Sequence, residues 1–208
     1  MKTAVIIPAY NEERTIENII RVVRQVPLVE DTIVVSDGST DNTVPVAESL
    51  GIKVISLQEN LGKGGAMMVG VNSTDADVVL FLDADLIGLE PWHIVDLLAP
   101  ILEGRAEMTV GIFEAGRLAT DLAQFIAPFL SGQRAVKRDL LKQLSNLEVT
   151  RFGVEVALTR FAKSAGISVE EVELKDLTHV MKEEKLGVVR GFLARLKMYW
   201  EIARCVRK

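Results

Sequence analysis

Cysteine, histidine and aromatic residues are scarce in this 208-residue sequence. A single Cys, Cys205, builds neither a disulfide framework nor a thiolate zinc cage, so a reducing compartment is expected. Long apolar runs are also missing, and no stretch reaches the roughly 18 uncharged residues a membrane span needs. The first apolar run, residues 4–7, is too short for a signal peptide and stops at Pro8. Bases are outnumbered, 24 against 29 acids, which argues against nucleic acid as a partner. Apolar residues make up 49% of the chain, too many for disorder. These figures lead to one soluble domain over 1–208, cytoplasmic or at most peripheral on the inner face of a membrane.

The net charge of −5 is unevenly spread. Residues 182–208 carry eight bases and three acids, which leaves −10 on residues 1–181. Residues 186–206 also show apolar positions at helical spacing, among them Phe192, Leu196 and Trp200. Such a basic amphipathic helix packs on its own domain or on a second subunit, or lies on a membrane surface. Residues 122–130, with Phe125 and Phe129, are a second candidate for membrane contact.

Uninterrupted apolar runs at 4–7, 33–35 and 78–82 have the pattern of strands covered on both faces of a parallel sheet. Residues 53–57 read as another strand. Helical spacing over 15–26, 43–50 and 62–73 separates these strands, so the first 90 residues predict right-handed βαβ units. Further on, strands are expected at 106–113 and 133–137, and helices at 118–130 and 151–164. The alternation over 167–174 predicts an antiparallel edge strand. The fold class is α/β, with a mostly parallel central sheet flanked by helices.

Ligands of such sheets bind beyond the carboxyl ends of the strands. Four polar clusters fall there in this chain. Asp83 and Asp85, spaced i, i+2, point their carboxylates to one side of an extended chain. Close carboxylates suit Mg²⁺ or Mn²⁺ together with phosphate oxygens, although a solvated turn would look the same. Gly62-Lys63-Gly64-Gly65 opens a helix whose N–H groups favour phosphate, or is simply a flexible cap. It is neither a Walker loop nor a dinucleotide fingerprint. In Asp37-Gly38-Ser39-Thr40-Asp41, Asp41 or Thr43 caps the next helix, and Asp37 is left to accept from a ligand ring N–H.

In order, Ile6-Ile7-Pro8-Ala9-Tyr10-Asn11-Glu12, Val35 to Asp41, Asn60-Leu61-Gly62-Lys63-Gly64 and Leu82-Asp83-Ala84-Asp85 resemble the successive signatures of family 2 glycosyltransferases of the GT-A fold. The resemblance implies a nucleotide diphosphate sugar donor, UDP-glucose or similar. It places Pro8, Ala9, Tyr10, Glu12 and Asp37 around the nucleoside, and Gly62, Lys63, Asp83 and Ala84 along the nucleotide. Asp83 and Asp85 would hold the metal. Ser131-Gly132-Gln133-Arg134 resembles the acceptor-side segment of glucosyl-3-phosphoglycerate synthases. Arg151 to Val156 resembles their Gly-x-Glu segment, and His179 matches a histidine that joins the metal site in those relatives. Taken alone, His179 reads equally well as an exposed loop residue. Glu155 would orient the sugar or acceptor or act as general base, against a plain helix-surface pairing with Arg151.

The resemblance divides the chain into a nucleotide-sugar half, 1–90, and an acceptor half, 91–208. The Gln-x-x-Arg-Trp signature of processive synthases is missing, so the expected activity is a non-processive hexosyl transfer to a small anionic or lipid-linked acceptor. Two alternatives remain on the residues alone. A sugar-nucleotide pyrophosphorylase shares the core but needs a glycine-rich start that this chain lacks, and a non-catalytic nucleotide-sugar-binding protein would keep only the cradle.

Overall fold

The computed structural model describes residues 1–113, 131–143 and 154–179. The expectations at 118–130, 151–153 and 186–206 lie outside these residues. Strands are β1 (Thr3–Ala9), β2 (Asp31–Ser36), β3 (Lys53–Ser56), β4 (Val78–Phe81), β5 (Leu86–Ile87), β6 (Met108–Phe113), β7 (Arg134–Lys137), β8 (Val169–Leu174) and β9 (Thr178–His179). Helices are α1 (Ile16–Val23), α2 (Thr43–Ser49), α3 (Gly62–Asn72), α4 (Pro91–Leu102), α5 (Arg138–Gln143) and α6 (Val154–Ala165).

Seven strands form one sheet in the order β3-β2-β1-β4-β7-β6-β8, and β5 pairs with β9 alone. Every pairing in the large sheet is parallel except the two made by β7. The expected α/β architecture is therefore observed. The alternation within strands sorts the core into two layers. Val5, Ile7, Val34, Leu80 and Leu82 face α1 and α4, where Ile16, Ile20, Ile94 and Leu97 are buried. Ile6, Ile33, Val35, Val79 and Phe81 face α3 and α6, meeting Met67, Val71, Val154 and Leu158. Contact on the second side is close enough that a Cβ on Gly70 of α3 would stand 2.5 Å from Ile6 Cγ2.

One expectation is corrected. β8 is an edge strand, but it runs parallel to β6. Its alternating exposure reports a strand covered on one face only, and coverage does not fix direction. The reversed strand is β7, paired with β4 through Phe81↔Arg134. Because β7 runs backwards, its first residues lie at the carboxyl end of β4, so residues 131–134 join the same sheet edge as Asp83. The helix α4 and the short β5, α5 and β9 were not expected.

Pro8 lies within β1, a central strand, where a missing N–H normally costs a ladder bond. Ala9 accepts the Asp37 N–H and Ile6 accepts the Leu82 N–H, so Pro8 turns its backbone toward β4. The β1–β4 ladder ends at Ile6↔Phe81, before Pro8 would need a partner. Past this point the two strands have no ladder between them, and Asp83-Ala84-Asp85 follows.

Candidate active site

One side of the site is built by the loops after β1 and β2, which zip together. Asn11, with φ +56°, accepts the Thr40 N–H at 2.8 Å through its side chain. The Glu12 N–H bonds to Thr43 Oγ1 at 2.8 Å, and the Glu13 N–H to Asp41 Oδ2 at 3.1 Å. Asp41 also accepts the Thr43 N–H at 3.0 Å, at the first residue of α2, whose N-cap position is held by Asn42 rather than by Asp41 or Thr43. Burial works to raise the Asp41 pKa, but these bonds outweigh it and hold the carboxylate below its ordinary range.

Asp37 departs from its expected freedom. It is buried, and its Oδ1 accepts the Leu61 N–H at 2.7 Å while its carbonyl accepts from Asn60 Nδ2 at 3.0 Å. It therefore pins the loop leading to α3. Gly38, at φ +73°, lets residues 59 and 60 approach: a Cβ there would lie 3.2 Å from Asn60 N. Tyr10 and Leu61 are 50% and 49% exposed. Pro8 is half-buried and Ala9 buried at the end of β1. Glu12 Oε2 accepts from Thr15 Oγ1 at 3.3 Å.

The other side of the site is charged. Lys63, in the first turn of α3, places Nζ 2.6 Å from Asp83 Oδ1 and 2.7 Å from Glu155 Oε1. Three segments distant in sequence thus meet at one ammonium. Burial disfavours the lysine's charge, but the fields of Asp83 and Glu155 outweigh it and raise its pKa above the ordinary value. Gly62 opens α3 with φ +79°, and its N–H bonds to Asn60 Oδ1 at 3.2 Å. Glu155 turns to Lys63 from the start of α6; Arg151 lies outside the described residues.

Residues 131–134 close this side from below. A Cβ on Gly132 would press on Lys63 Nζ and stand 2.6 Å from Asp83 Oδ2, so any side chain there requires the ends of these two side chains to shift. Ser131 and Gln133 are buried, and Ser131 Oγ lies 3.3 Å from Gln133 Oε1. Arg134 is fully buried. Its Nε donates to the Ser131 carbonyl and its NH1 to Thr159 Oγ1, both at 2.8 Å. Thr159 in turn donates to the Glu155 carbonyl at 2.9 Å. Burial pushes the Arg134 pKa down to about 10, against the supporting charge of Glu155. Arg134 therefore ties the Gly132 loop to the helix that carries Glu155. Sequence reasoning did not find Thr159, because a lone polar residue in a helix carries no spacing signal; Asn60 was part of a motif but was given no role of its own.

Asp85 and buried Ala84 follow β4, and β5 begins at the next residue. The register pairs His179 with Leu86, the residue after Asp85. Among the described residues, no three His, Cys, Asp or Glu side chains form a group that could hold a metal. Also among the described residues, no helix is long and apolar enough to cross a membrane.

Comparison with known proteins agrees with this geometry. Residues 4–155 match the model of glycosyl transferase family 2. Glucosyl-3-phosphoglycerate synthase of Mycobacterium tuberculosis is 31% identical over 193 aligned residues, covering 74% of this chain and 59% of that protein. The chain thus spans 59% of the length of that relative. A UDP-N-acetylglucosamine–dolichyl-phosphate N-acetylglucosaminyltransferase of Methanococcus voltae is 28% identical, covering 90% of both chains. The M. tuberculosis synthase crystallised with Mn²⁺, uridine diphosphate and glucosyl-3-phosphoglycerate superposes with a TM-score of 0.75. That alignment has 30% identity and covers 93% of this chain and 79% of the other.

Proposed function

Because the chain belongs to glycosyl transferase family 2 and has its GT-A fold, we propose that it transfers a single hexose from a nucleotide diphosphate sugar, UDP-glucose or a similar donor, to a phosphorylated acceptor. The observation that carries this reading is the meeting of Lys63, Asp83 and Glu155 on Gly132 at the strand ends. Two carboxylates and one cation meet there, beside the loops after β1 and β2 and the start of the reversed strand β7.

In this reading Pro8, Ala9, Tyr10, Glu12 and Asp37 surround the nucleoside, with the exposed Tyr10 and Leu61 offering apolar faces to a base. Gly62 and Lys63 meet the diphosphate, and Lys63 exchanges a carboxylate for a phosphate oxygen when the donor enters. Asp83 and Asp85, with His179, are the residues that would hold Mg²⁺ or Mn²⁺. Two hard carboxylates and an imidazole are donor types that suit such an ion. When bound, the ion offsets the negative charge that develops on the leaving diphosphate.

Transfer breaks the bond between the anomeric carbon and the diphosphate oxygen and forms one to an acceptor oxygen, which loses its proton. Glu155, in contact with Lys63, orients the sugar or acceptor or takes that proton. Residues 131–134 form the acceptor-side wall; Gly132 provides close approach, and the buried Arg134 supports the wall from behind. The protein's contribution is orientation and a fixed charge pattern, since a nucleoside diphosphate is already a good leaving group.

A polyprenyl phosphate acceptor is the second reading. It is favoured by the M. voltae transferase, which this chain matches over 90% of both lengths. The basic residues 182–208 suit either an anionic acceptor or an anionic membrane on the cytoplasmic side. The test is a screen of UDP-glucose and UDP-N-acetylglucosamine with Mn²⁺, offering 3-phosphoglycerate or a polyprenyl phosphate in vesicles. Glycosylated phosphoglycerate establishes the first reading, and glycosylated lipid that sediments with the vesicles establishes the second. Intact donor in every combination would refute both.

A further inference from the structure

Among the described residues, the large apolar side chains that stay exposed are sorted between the two edges of the sheet. Met1, Leu28 and Val169 lie at the amino edge, ahead of β1 and β2 and at the start of β8. Tyr10, Leu61, Ile87 and Trp92 lie at the carboxyl edge, and Val95 follows one turn along α4. Tyr10 and Leu61 are the residues read above as facing the base. Ile87, Trp92 and Val95 belong to the stretch that leaves Asp85, and the transfer reaction as described gives them nothing to do. Exposed apolar residues gathered beside a ligand site mark a contact surface.

Two of these three side chains are held from behind. Trp92 lies on the ring of His93, with centroids 3.7 Å apart. His93 is fully buried, and both of its ring nitrogens are engaged. Its Nδ1 accepts the Glu90 backbone N–H at 2.9 Å, so its Nε2–H donates to the Lys175 carbonyl at 2.8 Å. Ile87 pairs with Thr178 in the β5–β9 ladder, and its neighbour Leu86 is buried, so Ile87 turns out to solvent. Gly88, at φ +81°, packs on the Asp176 carbonyl so closely that any Cβ would collide with it. Apolar groups fixed in this way bind with little further loss of side-chain freedom.

We propose that Ile87, Trp92 and Val95 bind the hydrocarbon chain of a polyprenyl phosphate acceptor. This rests on the polyprenyl phosphate reading above. The acceptor phosphate must reach the donor sugar beside Asp83, and the donor's base takes the side of Tyr10 and Leu61. The chain then leaves the site along the stretch after Asp85. The charges of that stretch suit hydrocarbon rather than a bilayer surface: from 87 to 96 the acids are Glu90 and Asp96, both exposed, and there is no Lys or Arg. Anionic headgroups are repelled there. Each methylene that a chain buries strengthens binding roughly three- to fourfold, so chain length reads out the contact.

The test compares isopentenyl phosphate, with five carbons, and farnesyl phosphate, with fifteen, as acceptors for wild type, I87S and I87S/W92A. Wild type is expected to use farnesyl phosphate with a KM lower by about 10-fold or more. In I87S/W92A that advantage should shrink to within about threefold, while kcat/KM for isopentenyl phosphate stays within about twofold. I87S alone should lose part of the advantage, and it decides the matter if the double variant does not fold. Binding is read separately in W200F, where Trp92 is the one tryptophan left. Its emission should move to the blue with farnesyl phosphate and stay in place with isopentenyl phosphate. An undiminished chain-length advantage in the folded variants, or no emission shift in W200F, would overturn the assignment of these residues and leave the polyprenyl reading standing. A wild type that glycosylates 3-phosphoglycerate and neither prenyl phosphate would remove that reading and this surface with it.

Discussion

Gly132 packs on the Lys63–Asp83 ion pair: a Cβ placed on it would press on Lys63 Nζ and stand 2.6 Å from Asp83 Oδ2 and 2.7 Å from Oδ1. Gly132→Ala therefore displaces the end of Lys63, of Asp83 or of both. A displacement near 1 Å at a reacting centre costs on the order of 100-fold in rate. Steady-state kinetics of Gly132→Ala should show a kcat lower by about 10- to 100-fold with the thermal midpoint nearly unchanged. A wild-type kcat would mean that the Lys63–Asp83 arrangement does not matter to turnover.

Lys63 is the shared partner of Asp83 and Glu155, so Lys63→Met leaves two carboxylates facing one another without a cation. Transition-state charge also loses a fixed positive neighbour. The expected result is a fall in kcat/KM of about 100-fold or more, with weaker binding of UDP by calorimetry. Unchanged UDP affinity would place Lys63 away from the diphosphate.

Arg134 acts through others. Its bonds to Ser131 and Thr159 hold the Gly132 loop against the helix of Glu155. Arg134→Met should lower kcat about 10-fold or more and KM for the donor by little. Arg134→Lys should not restore it, because a lysine cannot serve two fixed directions from one planar group. In a double-mutant cycle with Thr159→Val, the losses should be less than additive. Strict additivity would show that the two residues do not form one unit.

How much could be read from the sequence differs along the chain. Strands β1, β2 and β4 are legible because a strand covered on both faces must be apolar at every position. The polar clusters at their carboxyl ends follow, since ligands of parallel sheets bind there. The direction of β8 is not legible, because Val169 to Leu174 alternates whenever one face is open to water. The helix α4 begins with Glu90 and Pro91, good starting residues, but a buried His93 and an internal Pro100 obscure its pattern. The second duty of Asp37 is hidden for another reason: its partner Leu61 is 24 residues away, and only folding brings the two together. Arg134 and Glu155 were legible as residues of interest, but the link through Thr159 was not.

Gly70 tests the packing beneath the site. A Cβ on it would stand 2.5 Å from the buried Ile6 Cγ2, so Gly70→Ala overfills the layer between α3 and β1. Overpacking of this kind costs about 1–3 kcal/mol, which chemical denaturation would detect. Lys63 sits at the other end of α3, so UDP affinity should hold. A variant as stable as wild type would show that α3 can shift outward freely.

The central claim is that this sheet edge moves a sugar from a nucleotide with help from the Asp83–Asp85 segment. The most direct measurement follows UDP release and acceptor glycosylation together, in wild type and in Asp85→Ala, with UDP-glucose, Mn²⁺ and a phosphorylated acceptor. Wild type should form UDP and product one for one, and Asp85→Ala should be slower by about 100-fold or more. An Asp85→Ala variant that turns over at the wild-type rate would contradict the account.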